Sequence, residues 1–146
     1  MYSIRNLLLI FTLLFTLMIS SNSFGEIIQI KFTEDDSYSP EVARIDIGDT
    51  IEWLPDNEGH NVEFFAGPNM LSLPKQSDID EVHSIIFTIP GVYLYGCTPH
   101  ANMGMLGLVI VGNDFHNIEK INEIKLSRVA SSVLKRLIRI AKSNSN

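Results

Sequence analysis

Short stretches in which apolar and polar residues alternate recur through the middle of this chain. The alternation runs through residues 28–32, 43–47 and 51–53, and a period of two places one face of a stretch in a core and the other in water. Further apolar runs at residues 84–89, 91–96 and 106–111 are bounded by glycine or proline. Several short strands with such punctuation predict a mainly β protein, a β-sandwich, with Ile47 among its core residues.

Residues 63–81 are less regular, since Gly67-Pro68 and Pro74 favour a loop over a strand. We expect the large apolar side chains of this segment to pack it onto the core: Phe64, Phe65, Met70 and Leu71.

The chain changes period after residue 117. Apolar residues then recur at helical spacing as far as Ala141, which predicts two helices with Ser127 as an N-cap between them. A structural helix docked on the body is favoured over a basic helix lying on a membrane surface.

Three soft or borderline ligands lie within nine residues of one predicted loop between two strands. Cys97, His100 and Met105 offer a thiolate, an imidazole and a thioether, and soft sulfur ligands favour copper. Two imidazoles, a thiolate and a weak axial thioether form the blue-copper electron-transfer site. The local sequence leaves Met103 and Met105 as alternatives for the axial position.

A second imidazole is needed, and His60 is the best candidate. It follows the predicted strand that holds Trp53, and Gly59 allows a close backbone turn there. We interpret His83 as a structural or surface histidine, because it alternates in step with Ile85, Phe87 and Ile89 and so lies on the same face of the predicted strand. We interpret His116 as a residue of the connection to the helices.

Other chemistries fit the loop less well. Zinc would gain little from a methionine and would prefer more thiolates, imidazoles or a carboxylate. A Cys–His hydrolase dyad of Cys97 and His100 has no clear oxyanion loop and no third orienting residue.

The single cysteine cannot form an intramolecular disulfide, so in an oxidising compartment its thiol needs another partner.

The first 25 residues have the layout of a cleaved secretory signal peptide. Arg5 precedes an apolar run from Leu7 to Ile19, and small and polar residues follow. A retained membrane anchor is the alternative, but a run of about 13 residues is short for the roughly 20 that span a bilayer. We therefore expect an exported protein with no stable membrane insertion once the leader is removed.

Charge is divided unevenly along the rest of the chain. Residues 26–119 hold 16 acidic residues and three cations, whereas seven cations and one acidic residue follow. A nucleic-acid surface needs clustered lysine and arginine on the body, so this class of partner is excluded.

The sequence resembles the pseudoazurins, a family of small bacterial cupredoxins, over nearly the whole predicted mature chain. The matching segments are Gly59-His60-Asn61-Val62-Glu63, Pro90-Gly91-Val92-Tyr93, Cys97-Thr98-Pro99-His100, Met103-Gly104-Met105-Leu106-Gly107 and Val111-Gly112, together with a two-helix tail.

This resemblance implies a Greek-key β-sandwich in residues 26–113 and a helical extension of the same domain in residues 114–146. It implies one copper ion held by His60, Cys97, His100 and Met105, which selects Met105 over Met103. It also implies a monomeric, non-enzymatic periplasmic protein that passes single electrons between partners such as copper nitrite reductase or a c-type cytochrome.

We expect Asn61 and Thr98 to orient the ligands through hydrogen bonds. We expect His100 to be partly exposed within a small apolar docking patch of Pro99, Ala101, Met103 and Leu106. Pseudoazurins display lysines around the copper end, and this acidic body does not, so the resemblance does not carry the partner's charge across. We expect the basic tail helices to lie away from that end.

Two further classes of function compete with electron transfer. A copper buffer or chaperone usually has an open site rich in methionine or histidine, and only two methionines lie near this one. A multicopper oxidase needs additional sites built from His-x-His pairs, which this chain lacks.

Overall fold

The computed structural model of the protein describes residues 25–143. The predicted leader therefore lies outside the described residues, apart from Gly25. Across residues 25–143, eight strands form in the order β1 (Ile27–Phe32), β2 (Tyr38–Ser39), β3 (Val42–Ile45), β4 (Thr50–Leu54), β5 (Glu63–Ala66), β6 (His83–Ile86), β7 (Gly91–Gly96) and β8 (Leu106–Val111). A 3-10 turn at Ala101–Met103 precedes β8, and helices α1 (Ile118–Asn122) and α2 (Arg128–Ser143) follow it.

The strands form two four-stranded sheets, ordered β2-β1-β4-β6 and β3-β8-β7-β5. The pairs β1–β4 and β3–β8 are parallel, and the other pairs are antiparallel. The chain changes sheet after each strand from β2 to β6, which produces the crossed connections of the predicted Greek-key sandwich. Glu63–Ala66 is a strand rather than the predicted loop, because it pairs with β7 at the edge of the second sheet.

The second sheet is covered on both faces. One face packs against the first sheet, and helices α1 and α2 cover the other through a second apolar cluster. Every residue of β7 and β8 is buried in consequence, which explains why both read as near-continuous apolar runs.

Helix α2 is a docked structural helix, as the helical spacing of its apolar residues predicts. Ser127 accepts a hydrogen bond at its Oγ from the Ala130 amide over 3.1 Å, so the predicted N-cap is confirmed. The buried face of α2 consists of Ala130, Leu134, Leu137, Ile138 and Ala141. Within residues 25–143 no helix is both long and apolar enough to cross a membrane.

Three core predictions are wrong, and each concerns a residue outside a strand. Ile47 is 57% exposed because β3 ends at Ile45, before the alternation does. Met70 is 51% exposed and Leu71 is 99% exposed, since both lie on the connection between β5 and β6 instead of folding back onto the core. Phe64 is buried as expected.

Candidate metal centre

The loop from Cys97 to Met105 is held by its own backbone hydrogen bonds. The Cys97 amide donates to the Met105 carbonyl over 3.2 Å, and the Met105 amide donates to the His100 carbonyl over 3.2 Å. The amides of His100 and Ala101 both donate to the Cys97 carbonyl. Gly104 ends the 3-10 turn at φ 106°, a left-handed conformation that a side chain would strain. The two ends of the loop are therefore joined between neighbouring strands β7 and β8.

His60 approaches this loop from the connection after β4. Gly59 precedes it at φ 89°, which confirms the predicted close turn. Asp80 fixes the turn, because its carboxylate accepts the Gly59 amide over 2.6 Å and its own amide donates to the His60 carbonyl over 2.9 Å. The turn that presents His60 is thus fixed by a residue 20 positions further along the chain.

Three donor atoms converge between these segments. The Cys97 Sγ lies 3.7 Å from His60 Nδ1 and 3.5 Å from His100 Nδ1, and the two nitrogens are 3.0 Å apart. A metal held in a trigonal plane by bonds of about 2.0–2.3 Å needs ligand atoms about 3.5–3.8 Å apart. Both sulfur–nitrogen separations meet this requirement, and the nitrogen pair meets it after opening by about half an ångström. The cluster fits one metal ion of the kind that prefers a thiolate and two imidazoles.

The ligand cluster is strongly desolvated. Cys97 is fully buried and His60 is 1% exposed, whereas His100 is half-buried. Burial raises the pKa of the Cys97 thiol, although hydrogen bonds from the backbone at Asn61 and His100 oppose the rise. Burial and then the neighbouring His100 lower the pKa of His60. Without a cation both groups favour their neutral forms, and a bound metal would stabilise the thiolate.

Asn61 joins the two ligand-bearing segments, as the sequence predicts. Its Oδ1 accepts the Thr98 amide over 2.8 Å, and its Nδ2 donates to the Thr98 hydroxyl over 2.9 Å. The Thr98 hydroxyl in turn donates to the Glu63 carboxylate over 2.9 Å. Asn61 is 2% exposed, so these bonds lie in a shielded environment.

The two methionines differ sharply in burial. Met105 is 1% exposed, whereas Met103 is 61% exposed. Both line a surface recess that opens beside His100. Of the two, Met105 alone belongs to the buried core that contains Cys97.

His83 and His116 do not join the cluster of His60, Cys97 and His100. The His83 ring lies 5.9 Å from that of Trp53, and its Nε2 is 2.9 Å from the Lys75 carbonyl. His116 is at the surface, with its Nδ1 2.8 Å from Asp114. Both have the structural or surface positions that were predicted.

The surface around His100 differs from the prediction in two respects. Leu106 is 1% exposed and is not part of the patch, because it faces the second core beneath the helices. The start of α2 also lies beside the loop rather than away from it. Val133 would be 2.9 Å from a Cβ at Gly104, and the Ser127 hydroxyl donates to the Asn102 carbonyl over 2.6 Å.

A two-sheet sandwich that brings a buried cysteine sulfur together with two imidazoles, beside a buried thioether, defines a mononuclear copper protein of the cupredoxin class. Residues 29–112 match the model of the copper binding proteins of the plastocyanin/azurin family, and the chain belongs to this family.

Its relatives include pseudoazurins, which confirms the resemblance found in the sequence. The pseudoazurins of Paracoccus pantotrophus and Methylorubrum extorquens are 35% and 32% identical to it over 98 and 99 residues. These matches cover 64% and 66% of this chain, and they span just under two thirds of the relatives, 65% and 66%. The structure of a pseudoazurin from Sinorhizobium meliloti superposes with a TM-score of 0.74 at 26% identity, over 81% of this chain and 98% of the other.

Proposed function

We propose that the protein is an exported, periplasmic electron carrier that acts without being an enzyme. In this proposal His60 Nδ1, Cys97 Sγ, His100 Nδ1 and the Met105 thioether would hold one copper ion. The observation that carries the proposal is the convergence of the first three of these donor atoms within 3.7 Å of one another in a largely buried cluster. Copper would supply a one-electron Cu(II)/Cu(I) couple.

The chain's own residues support this role by resisting rearrangement. Three of the four ligands lie on one hydrogen-bonded loop, and Asn61 ties that loop to the segment of His60. A site that is held in one geometry in both oxidation states minimises the cost of each transfer. The same burial disfavours the alternative of a copper buffer or chaperone, since exchange of metal needs access to Cys97 and His60.

His100 is the route for electrons in this proposal, because it is the least buried of the three converging ligands. Pro99, Ala101 and Met103 adjoin it and form what we call the His100 patch. Val129 of α2 is 55% exposed and extends this patch on the side of Gly104. A small apolar surface of this kind suits a transient contact with a redox partner.

The charge beside the patch suggests which partners dock. A recess of about 460 Å³ opens next to His100, and its charged lining consists of Asp35, Asp36, Glu41 and Arg136. Arg136 is paired with Glu41 through two bonds of 2.7 Å, so the two aspartates dominate the rim. We therefore favour a partner with a cationic docking face, whether a c-type cytochrome or a copper nitrite reductase.

Absorption and electron paramagnetic resonance spectra of the Cu(II)-loaded protein test the metal site. The expected result is an intense thiolate-to-copper band that Cys97→Ser abolishes. Met105→Leu should change the spectrum, whereas Met103→Leu at the exposed neighbouring methionine should not. A colourless protein with ordinary square-planar Cu(II) signals would refute the proposal.

The docking role needs a separate measurement. Ala101→Lys in the patch should slow electron exchange with a cationic c-type cytochrome without removing the colour, because the new charge repels the partner and interrupts the apolar surface. Ile86→Lys is the matched control, since Ile86 is 65% exposed on the other sheet. Equal rates for the two variants would contradict the role of the patch.

A further inference from the structure

The two ring nitrogens of His60 face different surroundings. Nδ1 points toward Cys97 and His100, whereas Nε2 points away from the cluster. The Nε2 atom lies 3.4 Å from the Oδ1 of Asp36 and 3.0 Å from the Nδ2 of Asn57. Neither residue was singled out by the sequence, since both belong to connections that fold back toward the ring.

A histidine that binds a metal through Nδ1 carries its proton on Nε2. That N–H needs an acceptor, because the His60 side chain is almost completely buried. Asn57 presents its amide nitrogen, which donates to the Thr33 carbonyl over 3.1 Å and cannot accept from Nε2. Of these two neighbours, only the Asp36 carboxylate can accept.

The turn between β1 and β2 holds Asp36 in place. Asp36 has φ 52°, a left-handed conformation that aspartate tolerates better than most residues. The Thr33 amide donates to the Ser37 carbonyl over 2.9 Å, which closes the turn. The neighbouring Asp35 carboxylate instead accepts from the hydroxyls of Thr33 and Ser37. The two adjacent carboxylates thus have different roles, and only that of Asp36 reaches His60.

A second carboxylate lies on the backbone side of His60. Asp80 accepts the Gly59 amide over 2.6 Å and lies 3.4 Å from the His60 amide. Its Oδ1 is therefore occupied by backbone donors, and the structure pairs it with neither ring nitrogen. Asp80 fixes the turn, whereas Asp36 faces the ring.

We propose that Asp36 is a positioning residue for the copper ligand His60. It holds the tautomer in which Nδ1 is free to bind, and its negative charge favours Cu(II) over Cu(I). A carboxylate behind a ligating imidazole orients the ring and raises its basicity. This inference rests on the proposed copper site, and it adds a carboxylate that none of the ligand motifs contains.

Three variants separate the contribution of the Asp36 charge from that of its hydrogen-bond acceptor. Asp36→Asn keeps an acceptor and removes the charge, and Asp36→Ala removes both. Asp35→Asn is the matched control, because it makes the same change in net charge one residue away. If Asp36→Ala fails to fold, the nearly isosteric Asp36→Asn still decides the question.

The first measurement is Zn(II) affinity by competition with a chelator, which needs no redox activity. We expect Asp36→Ala to bind Zn(II) about tenfold more weakly, the lower end of the range for the loss of such a partner. Asp35→Asn should stay within about threefold of the unchanged protein. Unchanged Zn(II) affinity in Asp36→Ala would overturn the positioning role.

The second measurement is the reduction potential of the copper-loaded protein. We expect Asp36→Asn to lower the ratio of Cu(II) to Cu(I) affinity about tenfold, which raises the potential by about 59 mV. An equal rise in Asp35→Asn, or none in Asp36→Asn, would overturn the role of the Asp36 charge. Failure of the unchanged protein to develop the thiolate–copper band would instead refute the proposed function, while the Zn(II) result would still judge Asp36.

Discussion

Replacing Asn61 by alanine tests how much the pair of hydrogen bonds between the two ligand-bearing segments contributes to the stability of the fold. The side chain makes two hydrogen bonds of normal length to Thr98, at 2.8 and 2.9 Å. Its contact with the Ser77 carbonyl, at 3.5 Å, is too long to add much. At about 1 kcal/mol for each net bond, Asn61→Ala should lower the free energy of unfolding by about 2 kcal/mol.

Urea denaturation of the metal-free protein measures this loss, and a thermal scan should show a midpoint about 8 °C lower. Gln76→Ala is the matched control, because Gln76 donates to the same Thr98 hydroxyl over 3.1 Å from an exposed position. Its effect should stay within about 0.5 kcal/mol, since water replaces the lost partner. A loss below about 0.5 kcal/mol in Asn61→Ala, or one no larger than in Gln76→Ala, would refute the reasoning.

Three further substitutions test the packing around the site. Gly107→Ala places a Cβ 2.3 Å from the Tyr95 ring, so thermal denaturation should show that the free energy of unfolding falls by about 1–3 kcal/mol. The double variant with Tyr95→Val should lose less than the sum of the two single variants, because the smaller side chain removes the clash. Strictly additive losses would contradict the clash. Arg136→Met removes the bidentate pair with Glu41. Because both side chains are partly exposed, a double-mutant cycle with Glu41→Gln should give a coupling of about 1 kcal/mol or less. A coupling of about 3 kcal/mol, as expected for a buried pair, would contradict this reasoning. Leu137→Ala truncates a fully buried residue of α2, and urea denaturation should show that the free energy of unfolding falls by about 2–5 kcal/mol. A fall of less than about 1 kcal/mol would show that α2 docks weakly.

Much of the second sheet and the copper loop was predictable from local sequence. Gly91–Gly96 and Leu106–Val111 are apolar throughout, and both form strands of that sheet. The loop between them keeps Cys97 and His100 close because only two residues separate them. A ligand pair of this kind depends on few distant contacts, so the residues alone indicate it.

Burial outside the regular strands was harder to predict. Ile47 and Leu71 have large apolar side chains that are typical of a core, and Ile47 continues an alternating pattern, yet both are exposed. An alternating pattern specifies a face only while the strand remains paired, and β3 ends at Ile45. Tyr38–Ser39 forms a two-residue strand that local periodicity cannot reveal, because its partner β1 supplies the pairing.

The sequence by itself determined the chemistry of this protein, since ligand identity and spacing within one loop indicate a soft-metal site. The tertiary structure decided how that site is supported. It placed Asp80 against the turn at Gly59, Asp36 behind His60 and the start of α2 beside Gly104. These contacts join residues far apart in the chain, and their geometry depends on how the two sheets and the helix pack. No local period or motif encodes such a juxtaposition, because the side chains meet only after the whole core has formed.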